Sequence, residues 1–105
     1  LTTQGHSRAL LEQAALALTQ AQARYAQAKE YWQTVQDTGN DPVVPSTTNS
    51  STGKKTPNKL SDGQRANYYS SFVQAEAALH QAEQSLQLAQ QAADNLNPRF
   101  WTGAS

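Results

Sequence analysis

Leu11, Leu18, Tyr25 and Trp32 recur every seven residues along the chain, and Ala14, Ala21, Ala28 and Val35 follow three residues behind each of them. Apolar residues at the first and fourth positions of a heptad mark a helix that packs along one seam against another helix. The stretch is rich in Ala, Gln, Leu, Glu and Arg and holds neither Pro nor Gly, so a single helix over about 6–37 is predicted. A second series places Phe72, Leu79, Leu86 and Ala93 at one seam position and Ala75, Ala82, Ala89 and Leu96 at the other. It predicts a helix over about 61–95, opened by Ser61-Asp62-Gly63-Gln64, where the serine hydroxyl and the glutamine side chain form a capping box. Pro98 ends it, leaving a tail over 96–105.

Both helices carry mostly large residues at one seam position and mostly alanine at the other. An antiparallel pair sets the first position of one helix against the fourth of its partner, so large residues face small ones. The expected fold class is therefore all-α, a two-helix antiparallel coiled-coil hairpin. The preferred layers pair Leu11 with Leu96, Leu18 with Ala89, Ala21 with Leu86, Tyr25 with Ala82, Ala28 with Leu79, Trp32 with Ala75 and Val35 with Phe72. This register brings Lys29 near Glu76, and a slide of one heptad would also keep large against small. Between the helices, Gly39, Pro42 and Pro45 begin a stretch rich in Ser, Thr, Asn, Lys and Gly, read as a long flexible loop over 38–60.

Composition narrows the function. The chain is 105 residues long, 37% hydrophobic and 15% charged, with 8 basic and 8 acidic side chains, which leaves room for one small domain and no basic stripe for nucleic acid. The absence of cysteine removes disulfides and thiolate chemistry. No apolar run reaches the roughly 18 residues of a membrane span. The chain opens at Leu1 and closes on Gly103-Ala104-Ser105, and it is read as a segment of a longer protein.

Candidate chemistry is sparse. Glu76, His80 and Glu83 share a helix face at spacings a metal site could use, but they lie off the seam and no second helix offers a matching set. No nucleophile has a base and an orienting group beside it, and no glycine loop would hold phosphate. No catalytic, cofactor-binding or metal-binding residue is assigned, and the chain is read as non-enzymatic. Asn49-Ser50-Ser51 fits the acceptor triplet for asparagine-linked glycosylation, a pattern that Ser- and Asn-rich loops also produce by chance. Leu10, Ala17 and Tyr31, with Ala78 and Ala92, make a weaker lateral apolar stripe.

The alanine- and glutamine-rich heptads beginning at Leu18 and Ala75, with the breaks after Gly39 and Asp94, resemble the helical hairpin of membrane fusion proteins, the periplasmic adaptors of the hemolysin D secretion type. The resemblance spans about residues 9–95. It implies an extracytoplasmic hairpin with no cofactor, anchored through other parts of its parent chain. It also implies self-association of hairpins side by side, bridging an inner-membrane transporter to outer components. Such adaptors commonly carry at the hairpin tip an Arg, a Leu four residues on, and then a Ser or Thr; here Arg65 is followed by Tyr69 and then Glu76. The expected partner contacts are accordingly at the loop end, from Val43, Val44, Leu60, Arg65, Tyr68 and Tyr69. The competing reading is a coiled-coil spacer of a filament, phage or cell-surface protein.

Overall fold

The structure, a computed structural model, describes residues 3–95. Two long helices, α1 over Thr3–Thr38 and α2 over Asp62–Asn95, pack against each other as an antiparallel, coiled-coil-like hairpin. The capping box forms at the start of α2: the Gln64 amide donates to Ser61 Oγ at 3.2 Å, and the Ser61 amide donates to Gln64 Oε1 at 2.9 Å. Gly39, at φ +72°, ends α1 in the left-handed conformation that glycine adopts without steric cost.

The chain forms two compact units. The one spanning Arg24–Glu76 contains the loop. Its interior is thin: Val35 is 4% exposed and Ala75 1%, while Tyr25, Ala28, Trp32, Tyr68 and Phe72 are half-buried. These are the seam positions of the two heptad series. Aromatic pairs line them, with Tyr25 and Phe72 rings 5.7 Å apart, Tyr31 and Tyr68 edge to face at 6.1 Å, and Trp32 and Tyr69 at 5.1 Å.

The register differs from the preferred one by about one heptad. Phe72 meets Tyr25 rather than Val35, and Trp32 meets Tyr69 rather than Ala75. The cause lies where the helices join: the Leu60 amide donates to the Gly39 carbonyl at 2.9 Å, and Asn40 bridges Lys59. The chain thus closes immediately beyond α1, and that closure sets the helix ends level. The slide keeps small against large, bringing Ala75 level with Tyr25 and Phe72 level with Ala28. It also moves Lys29 away from Glu76, and among the described residues these two form no ion pair.

The loop contains local structure that its composition did not predict. It carries two short strands, β1 over Ser46–Thr48 and β2 over Lys55–Pro57, paired antiparallel with Thr47 opposite Thr56. Asn58 ties this hairpin down with four hydrogen bonds: its amide donates to the Pro45 carbonyl (2.9 Å), its Nδ2 to the Val44 carbonyl (2.8 Å), its Oδ1 accepts from Thr47 Oγ1 (2.9 Å), and its carbonyl accepts from the Asp41 amide (2.8 Å). A polar composition signals disorder only where backbone groups find water to be the better partner. Here they find each other.

In the second unit, built from α1 up to Ala23 and α2 from Ala77 onward, the half-buried seam residues are Leu11, Ala14, Leu18 and Ala21 on one helix and Leu79, Ala82, Leu86, Ala89 and Ala93 on the other. Leu96 and the tail lie outside the described residues. Of the lateral stripe, Ala78 is half-buried, while Leu10, Ala17 and Ala92 are exposed.

Candidate functional site

The loop end gathers most of the chemistry. Asp41, two residues past the glycine that ends α1, is drawn into a local clamp in which its Oδ1 accepts from the Val43 amide at 2.8 Å, the Val44 amide at 3.3 Å and the Tyr68 hydroxyl at 3.3 Å. The first two bonds are the turn-forming habit of an aspartate that folds back on its own backbone. The third fastens the loop to α2. Three donors on one oxygen give this carboxylate a structural role. Burial raises the Tyr68 phenol above its ordinary pKa, and the Asp41 carboxylate raises it further, by its charge and by accepting the hydroxyl hydrogen bond; the neighbouring Tyr31 adds the smallest contribution.

The clamp leaves Val43 and Val44 facing solvent, 61% and 50% exposed. Tyr69 is 51% exposed although its ring rests on Trp32, and Val73, one helical turn further along α2, is 43% exposed. Sequence reasoning passed over Val73 because it belongs to no seam. Leu60 is half-buried at the junction with the loop. Arg65 is exposed, with its guanidinium lying over Gly39, where a Cβ would meet Nη2 at 2.7 Å. One shielded acceptor, Asn40 Oδ1, has no hydrogen-bond partner among the described residues.

On the flank of the same unit a shallow groove of about 310 Å³ is lined by Arg24, Gln27, Ala28, Tyr31, Tyr68 and Ser71. Both tyrosine hydroxyls there are engaged, Tyr31 accepting from Gln27 Nε2 at 3.3 Å and Tyr68 donating to Asp41. The groove holds no nucleophile paired with a base. In the second unit His80 Nδ1 lies 3.7 Å from Glu83 Oε1 on the solvent side, and no group of three His, Asp or Glu among the described residues is placed to hold a metal ion. No helix among them is long and apolar enough to cross a membrane.

Comparison with family models, with curated proteins and with solved structures finds no match to this chain.

Proposed function

We propose that the chain is a non-catalytic structural and protein-binding hairpin whose loop end is its contact surface, working outside the cytoplasm. The observation that carries this reading is the exposure of Val43, Val44, Tyr69 and Val73 within one unit, on a loop that is held by hydrogen bonds rather than left to fluctuate. Surface valines in isolation need no explanation. Here they share one compact unit with the half-exposed Tyr69, an aromatic of the type that carries interface energy.

The role best supported by the sequence resemblance is that of the hairpin in an adaptor of the hemolysin D type, associating side by side with its copies and bridging an inner-membrane transporter to outer components. The alanine-lined antiparallel seam agrees with that role. The ordered finger of residues 46–57 gives it a tip unlike the short one such adaptors commonly have. The thin interior, with Val35 and Ala75 the buried apolar side chains among the described residues, suits a structural element better than an enclosed reaction site.

A photo-crosslinking residue placed at Tyr69, and separately at Val43, in the cells that make the protein tests the contact surface. Capture of a transporter or channel component at both positions is expected. Capture of no protein at either position would favour the spacer reading and overturn this one. Fractionation of the same cells tests the extracytoplasmic placement separately.

A further inference from the structure

We infer that Asn49 is an acceptor for an asparagine-linked glycan, displayed at the turn of the loop's β-hairpin. The triplet Asn49-Ser50-Ser51 meets the sequence requirement, an asparagine followed by a residue other than proline and then a serine. Composition alone makes such a triplet unremarkable in this loop. Its placement and local geometry supply what the composition does not.

All three residues are exposed and lie in the turn between β1 and β2. The strands hold that turn outward: the Asn49 amide donates to the Lys54 carbonyl at 2.8 Å, and the Gly53 amide donates back to the Asn49 carbonyl at 2.7 Å. Within it, Asn49 Oδ1 accepts from the Ser51 amide at 2.8 Å. This closes a small ring between the side chain of the first residue and the backbone of the third. The ring fixes the asparagine carboxamide beside the residue whose hydroxyl the modification requires, and it uses only the oxygen of the amide. Asn49 Nδ2, the atom that would be modified, makes no hydrogen bond among the described residues. Asn58 in the same loop shows the contrast, since its Nδ2 is bound to the Val44 carbonyl and its neighbours form no such triplet.

The step needs a sugar donor linked through pyrophosphate to a lipid, together with its membrane transferase. Asn49 Nδ2 loses one proton to a base of the transferase and forms a bond to the anomeric carbon. The bond from that carbon to the pyrophosphate oxygen breaks, and the lipid pyrophosphate leaves with the electron pair. No oxidation or reduction is involved. Occurrence in the cell rests on the extracytoplasmic placement proposed above, because the transferase acts on chains that have left the cytoplasm.

The test is cell-free translation of the chain behind a cleavable secretion signal, with microsomes that carry the transferase and its lipid-linked donor. The microsomes supply the compartment, so the result does not depend on where the protein resides naturally. One glycan is expected on the wild-type chain, sensitive to the amidase that removes asparagine-linked glycans. It should be lost completely in Asn49→Asp, which keeps the Oδ1 acceptor and therefore the turn, and in Ser51→Ala, which keeps the backbone amide that Oδ1 binds. Ser50→Ala should retain it. An unmodified wild-type chain recovered from the microsome lumen, or a glycan that persists in Asn49→Asp, would overturn the assignment.

Discussion

The Arg65 guanidinium lies across the bare Cα of Gly39, close enough that a Cβ there would sit 2.7 Å from Nη2. The same glycine is held at φ +72°, so two separate costs would follow from giving it a side chain. Left-handed backbone costs an L-residue roughly 1–2 kcal/mol. The crowding with Arg65 is cheaper, because the end of an exposed arginine can swing away. Gly39→Ala should therefore lower the stability of the hairpin by about 1–2 kcal/mol in denaturant melts, and adding Arg65→Ala should recover only a small part of it. Full recovery in the double variant would mean that the guanidinium is held in place and that the steric term dominates.

Ala75 is the most buried residue of the seam, at 1% exposure, and it lies level with Tyr25 in the observed register. A leucine there has no room unless the helices separate. Ala75→Leu should destabilise by about 1–3 kcal/mol, and Ala28→Leu by less, because Ala28 lines the open groove and its larger side chain can lean toward solvent. Denaturation midpoints of the two variants would check the order. Equal stability of both with the wild type would remove the alanine seam as the determinant of packing.

The register makes a prediction of its own. Tyr25 and Phe72 are in ring contact, whereas Val35 and Phe72 are not level with each other. A double-mutant cycle on Tyr25→Ala and Phe72→Ala should return a coupling of about 0.5–1.5 kcal/mol, and the cycle on Val35→Ala and Phe72→Ala should be additive. The opposite result would restore the register that pairs Val35 with Phe72.

Much of the hairpin was legible in the residues and part of its tip was not, for different physical reasons. Leu11 to Trp32 and Phe72 to Ala93 repeat with a period that only a helix seam explains, and Ser61 with Gln64 marks the start of α2 locally. Register escaped because most large seam residues face an alanine in either of two alignments, so the seam itself distinguishes poorly between them. What decides is the Gly39–Leu60 closure, a backbone event with no side-chain signature. The β-hairpin was hidden in polar composition. Its available signals were the paired Thr47-Thr48 and Lys55-Thr56 flanking an Asn-to-Gly turn, with Gly53 at φ +70° in the position where such turns place glycine. The exposed residues Val43, Val44 and Tyr69 could be named from sequence as loop-end apolar residues, but Val73 lay on an unassigned helix face.

Alkaline titration offers a readout of the clamp between loop and α2. The Tyr68 phenol is raised in the folded chain, first by burial and then by the Asp41 carboxylate. A folded pKa above the unfolded one means that this group's stabilising contribution is fully present below the ordinary tyrosine value of about 10 and is lost as pH climbs through the folded value. Ultraviolet titration of phenolate should show one tyrosine ionising later than the rest. That late step should vanish in Tyr68→Phe and move down without reaching the ordinary value in Asp41→Asn, since burial remains. A late step that survives Tyr68→Phe would assign the shift elsewhere.

The four hydrogen bonds of Asn58 have a thermodynamic consequence for any encounter at this end of the molecule. A disordered tip would have to surrender its conformational freedom on docking, a cost of several kcal/mol for a segment of this length. A finger already fastened to the helix ends has met that cost during folding. Association at Val43, Val44 and Tyr69 should then behave as the meeting of preformed surfaces, in which a modest contact area can still yield useful affinity. Its heat-capacity change should reflect the area covered and no coupled folding.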